Sequence, residues 1–463
     1  MKPYNNQKYK KKNAFTSIFV LALVLTTSAF FYFIWNTYYN LRLRDPFIMK
    51  GSFFITFVYA MLYLAFMIAL DSGKIDENRL FTTIFLQFLN IFFCDIFAYL
   101  VIIIPTYSRG LIEITPLVLT GIGQYISIII ICIVFDFLYK KMFPAMPMLL
   151  ITNNETIDQL AFKLNQRRDI YNIMDCVSCD KPFDEIKVKC EKYGNVIVGD
   201  IESQKRNDIL KYCFENVDTT YIMPKLSDII IKDTSNLYVF DTPMYVSNNN
   251  GITSYQAFIK RVVDIILSII LLVLLSPLLV IVALLIKIED GGKIFFIQDR
   301  VTKDNKIFKI LKYRSMKQEK DTNVVRPTAQ DDDRVTKVGK FIRNTHIDEL
   351  PQLINVLIGD MSIVGPRPER IEHVELYKKE ISEFGYRLKV KAGITGLAQI
   401  YGKYNTTAYD KLKLDLIYIK NYSLLFDIEL ILKTFKVLLL KDNTEGFDKK
   451  SSEYIEKNAT RVK

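Results

Sequence analysis

Four apolar runs, at about residues 14–36, 52–70, 80–104 and 112–138, constrain this chain more than any other feature. Each is long enough to cross a hydrocarbon layer about 30 Å thick. They predict a membrane protein with a four-helix transmembrane N-terminal bundle over 1–144. The composition agrees: 50% of the residues are hydrophobic and mean hydropathy is +0.15, both high for a soluble protein. Lys2, Lys8, Lys10, Lys11 and Lys12 hold the N-terminus in the cytoplasm, and an even number of crossings returns the chain there, beside Lys140 and Lys141. Arg42, Arg44 and Lys50 in the first loop run against that orientation. The first run is too long, and lacks the small-residue cleavage pattern, to be a secretory signal. Asp95 and Asp136, in or beside the spans, are candidate intramembrane acids; no partner for Asp95 is visible in the sequence.

From 145 to 248 the pattern changes. Residues 148–152, 195–200 and 219–224 read as strands, each of the first two followed by a helix-like stretch. That alternation predicts a Rossmann-like α/β domain with a parallel sheet. A dinucleotide site needs a glycine-rich turn after the first strand. This chain has Thr152-Asn153-Asn154-Glu155-Thr156 there, so a spacer, regulatory or dimerising role is expected and nucleotide binding is not. A homodimer is one partner this leaves open. The six cysteines form neither a disulfide framework nor a paired zinc motif: Cys176 and Cys179 make a lone Cys-x-x-Cys, and the two histidines, His346 and His373, lie far downstream. The formal charge of +11 calls for an anionic partner. With apolar spans present, lipid headgroups and phosphorylated substrates fit it better than nucleic acid, for which no binding signature appears.

After a polar linker at 244–254, residues 262–286 are apolar again, interrupted at the middle by Ser276-Pro277 and flanked by Lys260-Arg261 and Lys287. The run is long enough for a fifth crossing. Basic residues at both ends and a proline at its centre favour a re-entrant helix that enters and leaves on one face. A serine hydroxyl can satisfy the carbonyl that the proline frees. Val335, Val338, Phe341 and Ile342 share one helical face with Lys337, Lys340 and Arg343 off it, which suits an interfacial helix or a core-packing one. The apolar stretch 424–440 carries Asp427, Glu429, Lys433 and Lys436, which argues against a crossing. Residues 441–463 read as a polar tail.

Chemistry concentrates at Asp348-Glu349-Leu350-Pro351-Gln352 and at Gly365-Pro366-Arg367-Pro368-Glu369. Pro351 is tolerated in a first helical turn, so a helix is expected to begin near Asp348, with Leu350, Leu353, Ile354 and Leu357 on one face and Gly359 after its end. Two adjacent carboxylates at a helix N-terminus either cap it or hold a hard cation that grips a diphosphate, and one of them can attack phosphorus. Arg367 sits between two prolines that restrict its backbone, a setting suited to gripping phosphate oxygens.

The segment from about Gln256 to Leu440 resembles the bacterial sugar transferase family, the polyprenyl-phosphate sugar-1-phosphate transferases. The matching pieces are Lys260-Arg261-Val262-Val263-Asp264, Leu275-Ser276-Pro277, Phe295 to Val301, Phe308 to Met316, Asp332 to Gly339, Asp348 to Gln352, Gly359 to Glu369, and Gly393 to Gln399. The layout upstream is similar to that of the large capsule-priming members. The resemblance implies an α-rich catalytic domain over 255–440 at the cytoplasmic face of a bacterial inner membrane. It implies transfer of a sugar 1-phosphate from a UDP-sugar to polyprenyl (undecaprenyl) phosphate, release of UMP, and the start of a capsule, exopolysaccharide or O-antigen unit. It further implies Asp348 as nucleophile through an aspartyl-phosphosugar, Glu349 as Mg²⁺ ligand or phosphate positioner, and Mg²⁺ held by Asp348 and Glu349. Arg343 and Arg367 would bind phosphate, with Lys312, Arg314 and Gln352 in support and Ser276 and Pro277 turning the re-entrant helix. UDP-sugars are cytosolic, which agrees with both ends of 262–286 lying on that side. The sequence departs from the family pattern at Ala392, where proline is usual, and at His346-Ile347 before the acidic pair. The competing expectations are a non-catalytic membrane scaffold or regulator of polysaccharide assembly, in which the pair only caps a helix, and a lipid-sugar transporter or polymerase, which needs many more crossings.

Overall fold

The computed structural model describes residues 6–43, 45–106, 113–232, 234–247, 251–316, 334–402 and 406–439; the tail 441–463 and Asp332-Asp333 lie outside them. The packing divides into two units, one through Met223 and one from Pro224.

In the first unit the apolar runs form α1 (Asn6–Ile34), α2 (Met49–Ala69), α3 (Leu80–Thr106) and α4 (Thr115–Met142). α1 packs on α2 and α4, and α3 on the same two. Pro116 stands in the first turn of α4, and Lys140 and Lys141 complement the dipole at its end. The two acids flagged in these helices both have partners. Asp95 accepts a hydrogen bond from the Tyr59 hydroxyl at 2.9 Å, and Asp136 pairs with Lys140 at 2.7 Å one turn away. The sequence could not show the first contact, because α2 supplies it.

The chain continues through β1 (Met146–Thr152), α5 (Ile157–Asn165), β2 (Tyr171–Ser178), α6 (Phe183–Tyr193), β3 (Asn195–Val198), α7 (Ser203–Asn216) and β4 (Thr219–Ile222). The sheet has order β2-β1-β3-β4 and every pairing is parallel, as strand–helix alternation implies. β2 was not legible: Asp175 falls inside it, and it is an edge strand whose register slips at Met148/Leu149. At the end of β1, where a dinucleotide would need glycine, the Thr152 and Thr156 hydroxyls meet at 2.9 Å and the Cys179 thiol donates to Asn153 Oδ1.

The second unit opens with α8 (Leu226–Lys232), whose Leu226 and Ile229 join its core, so the division falls upstream of the polar stretch at 244–254. An antiparallel hairpin, β5 (Ser235–Val239) and β6 (Thr242–Val246), precedes α9 (Ser254–Asp290). α9 starts in a capping box between Thr253 and Gln256 and ends at Gly291 with φ 70°. The interruption expected at Ser276-Pro277 is not seen; α9 runs through it for 37 residues. Proline removes the donor for the Val273 carbonyl, and the Ser276 hydroxyl replaces it at 2.8 Å. Five helices among the described residues, α9 included, are long and apolar enough to cross a membrane.

The remainder is α-rich, as expected, with two small two-stranded sheets. β7 (Phe295–Val301) and β8 (Ile307–Tyr313) form an antiparallel hairpin, and β9 (Ser362–Val364) pairs in parallel with β10 (Gly393–Thr395). Around them lie α10 (Lys337–Asn344), α11 (Gln352–Ile358), α12 (Ile371–Glu380), α13 (Leu397–Tyr401), α14 (Ala408–Lys420) and α15 (Leu424–Leu439). On α10, Ile342 is fully buried against Val282 and Ile286 of α9 while Phe341 is exposed, so the expected shared face is split between core and surface. α15 turns its charges inward: Lys260 pairs with Asp427 at 2.5 Å, both nearly sealed from solvent.

Candidate active site

The acidic pair does not sit in the first turn of an α-helix. Asp348 and Glu349 occupy a 3₁₀ turn, Ile347–Glu349, and α11 begins only at Gln352 with Pro351 as its cap. The cause is His346, which takes a left-handed conformation (φ 55°, ψ 16°) and reverses the chain just after α10 ends. The buried face of α11 also differs from the apolar stripe. Gln352, Leu353, Asn355 and Val356 are inside, whereas Ile354 is exposed. Asn355 is buried because it pins α11 to β8. Its amide oxygen accepts from the Leu311 N–H at 3.0 Å and its NH₂ donates to the Lys309 carbonyl at 2.8 Å.

That clamp brings Lys312, the next residue of β8, to the acidic turn. The Lys312 ammonium donates to Glu349 Oε1 at 2.6 Å. The Arg367 guanidinium donates to the same oxygen at 2.8 Å and, more loosely, to Oε2 at 3.4 Å. Burial favours the neutral form of Glu349, but the charges of Arg367 and Lys312 outweigh it and hold the carboxyl far below the usual range. Burial lowers Lys312 against the opposing pull of Glu349, and Glu349 raises Arg367. Asp348 is in a different state. Its carboxylate makes no hydrogen bond or ion pair among the described residues. Burial first, and the adjacent Glu349 charge second, raise its pKa, while Lys312, His346 and Arg343 pull the other way.

Arg367 rides on a loop fixed at four successive carbonyls. Gly393 N–H bonds the Pro366 carbonyl at 2.9 Å, Arg387 the Arg367 carbonyl at 3.0 Å, Arg300 the Pro368 carbonyl at 3.1 Å and Val301 N–H the Glu369 carbonyl at 3.1 Å. Gly365 and Gly393 approach so closely that a Cβ on either would strike the other's backbone. Ala392, the departure from the family pattern, gives its N–H to Thr302 Oγ1 at 3.0 Å, which a proline could not do.

Of the residues picked out by sequence, Lys312, Glu349 and Arg367 are in direct contact, and Asp348 adjoins them. Arg343 stands in the last turn of α10, near enough to act on Asp348. Gln352 is buried at the start of α11. Arg314 packs its guanidinium against Gly292, just past the end of α9. Ser276 and Pro277 lie on the exposed middle of α9. Sequence reasoning missed Arg300, Arg387 and Asp415. Arg387 is 2% exposed and pairs with Asp415 at 2.8 Å. Burial pushes Asp415 up to about 6 against the pull of Arg387, and burial together with the Arg370 and Arg367 charges lowers Arg300 to about 10. Arg300 lay inside a matched piece, Phe295 to Val301; nothing local marked Arg387 or Asp415.

No group of three or more His, Cys, Asp or Glu side chains able to hold a metal occurs among the described residues. Magnesium does not need one: it is commonly held by one or two carboxylates, phosphates and water. Asp348 and the loosely held Oε2 edge of Glu349 are adjacent carboxylates that offer oxygens of this kind.

Residues 255–441 match the sequence model of a family described as bacterial sugar transferase. Over 186 residues the chain is 45% identical to a UDP-N-acetylgalactosamine-undecaprenyl-phosphate N-acetylgalactosaminephosphotransferase of Aeromonas hydrophila, covering 40% of this chain and 44% of that one. It is 44% identical over 197 residues to a UDP-glucose:undecaprenyl-phosphate glucose-1-phosphate transferase of Escherichia coli K12, covering 42% of each. A protein with the same description from Caulobacter vibrioides is 41% identical over 189 residues, which cover 40% of this chain and 71% of that one. The match thus spans less than half the length of the first two relatives.

Proposed function

The chain belongs to the bacterial sugar transferase family, and from that premise we propose that it moves a sugar 1-phosphate from a UDP-sugar to polyprenyl phosphate, in bacteria undecaprenyl phosphate, and releases UMP. The product would begin a capsular, exopolysaccharide or O-antigen unit. The observation that carries this reading is an Asp348 unpaired among the described residues, beside a Glu349 that gathers Lys312 and Arg367. One acid organises two cations for phosphate, and the other is left to react.

In the first step an Asp348 carboxylate oxygen attacks the β-phosphorus of the UDP-sugar. The bond from that phosphorus to the bridging oxygen breaks, and UMP leaves with the electron pair. Arg367 and Arg343 neutralise charge on the transferring phosphoryl group, and Lys312 offsets the leaving phosphate. In the second step an oxygen of the lipid phosphate attacks the same phosphorus, and Asp348 departs as carboxylate. The covalent stage lets a soluble donor and a membrane-held acceptor use one site in turn. A magnesium ion at Asp348 and Glu349 would supply further neutralisation of the diphosphate.

We place the protein in the inner membrane with this site cytoplasmic and α9 re-entrant. What supports the last point is that both halves of α9 hold the same domain. Asp264 accepts from Ile363 N–H at 3.1 Å and Arg261 donates to the Leu357 carbonyl at 2.7 Å. In the other half, Leu279 accepts from the Tyr313 hydroxyl at 2.9 Å. About 15 residues separate Asp264 from Leu279, roughly 22 Å of helix, so a perpendicular crossing would draw at least one of these contacts into the hydrocarbon layer, about 30 Å thick. UMP release from a panel of UDP-sugars by the membrane-embedded protein, with undecaprenyl phosphate present, tests the reaction. No release from any of them overturns it.

A further inference from the structure

The β7–β8 hairpin carries an exposed apolar strip that the proposed chemistry does not use: Phe295, Phe296 and Ile297 are 41%, 45% and 57% exposed. Its placement is specific. Phe296 is the register partner of Lys312, and directly opposed residues of an antiparallel pair project from the same face. Phe296 therefore stands on the face from which Lys312 reaches Glu349. The opposite face is taken up by α9: the Phe295 ring stacks on Tyr313 at 5.5 Å, and Tyr313 bonds the Leu279 carbonyl. Beyond Leu279, Val280, Ile281 and Leu284 of α9 are exposed. Phe296 is thus an exposed apolar side chain on the same hairpin face as the cationic pocket.

We infer that Phe296 is the contact for the first isoprene units of the lipid acceptor. A polyprenyl phosphate has this polarity: an anionic end for Lys312 and Arg367, and a hydrocarbon chain that must leave the pocket along an apolar track into the leaflet. A UDP-sugar carries no such chain. The inference rests on the reaction proposed above and deepens it by assigning an acceptor-specific residue.

The full chain in nanodiscs tests it with UDP-glucose, UDP-galactose and UDP-N-acetylgalactosamine as donors and undecaprenyl phosphate as acceptor. Phe296→Ala should raise KM for undecaprenyl phosphate about tenfold, the equivalent of about 1.4 kcal/mol of apolar contact, with KM for the UDP-sugar unmoved. Phe296→Leu should recover most of the acceptor affinity. An unchanged acceptor KM, or an equal rise in both KM values, overturns the assignment. Wild-type protein given donor alone separates the two levels. UMP release and a phosphosugar adduct there, with an acceptor KM indifferent to Phe296, reject only the inference. Their absence removes the reaction itself and the inference with it.

Discussion

Glu349 and Lys312 meet at 2.6 Å across 37 positions of sequence, each side chain largely closed to solvent. This contact divides the labour of the acidic pair, which the sequence leaves open. Glu349 is engaged by two cations, so its charge is spent on holding them in place. Asp348, raised in pKa, has no hydrogen bond or ion pair among the described residues, so its carboxylate is uncommitted.

Asp348→Asn should abolish both turnover and any covalent phosphosugar adduct while leaving the protein folded. An amide is not a competent nucleophile here, and the carboxylate it replaces makes no structural bond among the described residues. UMP release and intact-protein mass measured together check this. Retention of more than a few per cent of wild-type UMP release rules Asp348 out as the nucleophile.

The pH profile should carry the mark of the neighbouring acid. Attack needs Asp348 ionised, and burial and Glu349 both raise its pKa, so kcat/KM falls on the acid side above the ordinary carboxylate value of about 3.9. Glu349→Gln removes the like charge and frees Lys312 and Arg367 to act on Asp348 instead. The acid limb of the residual activity should move to lower pH. A limb that stays or moves upward contradicts the arrangement.

Arg367→Lys should cost at least about tenfold in kcat/KM, about one charge-assisted hydrogen bond. The guanidinium places two N–H groups on Glu349 from a loop fixed at four carbonyls, and an ammonium cannot reproduce that fork. Near-normal kinetics would confine Arg367 to supporting the loop.

Arg387→Met should destabilise the protein by roughly 3–5 kcal/mol, since it strands the buried Asp415. Arg387→Met with Asp415→Leu should regain much of the thermal stability but not the rate, because the Arg367 carbonyl still lacks its donor. Full recovery of both in the double variant would reduce Arg387 to a packing role.

What could be read from sequence was local. The acidic pair and the Arg-Pro loop stood out because their chemistry lies within a few consecutive residues, and the spans because apolar length is a one-dimensional property. Pairings across distance were hidden: Arg387 finds Asp415 only when α14 packs nearby, and Tyr59 finds Asp95 from another helix. The 3₁₀ turn was hidden for another reason. It depends on His346 adopting a positive φ, which a histidine seldom does and no local pattern announces. The interruption expected in α9 failed to appear because Ser276 closes the gap that Pro277 opens.

The last expectation concerns α9. If both of its ends lie on the cytoplasmic face, cysteines at two exposed sites flanking it should behave alike. Tyr255→Cys precedes the buried anchor Lys260, and Lys293→Cys follows the helix end; both native side chains are exposed. Gly292 is unsuitable, because a Cβ there meets the Arg314 guanidinium. In a chain with the six native cysteines replaced, both new thiols should react with a membrane-impermeant reagent only after the inner membrane is opened. Replacing Ser276 and Pro277 with Ala and Leu restores a normal backbone bond and removes the constraint at the exposed centre of the helix. Some molecules should then take a spanning position, tearing the α9 contacts at Ile363 or at Tyr313 from the domain, with activity falling in proportion. Labelling of Lys293→Cys from outside intact cells, with Ser276 and Pro277 unaltered, would make α9 a true crossing. Asp348 would then lie on the side where UDP-sugars are absent, and the cytoplasmic placement of the site could not stand.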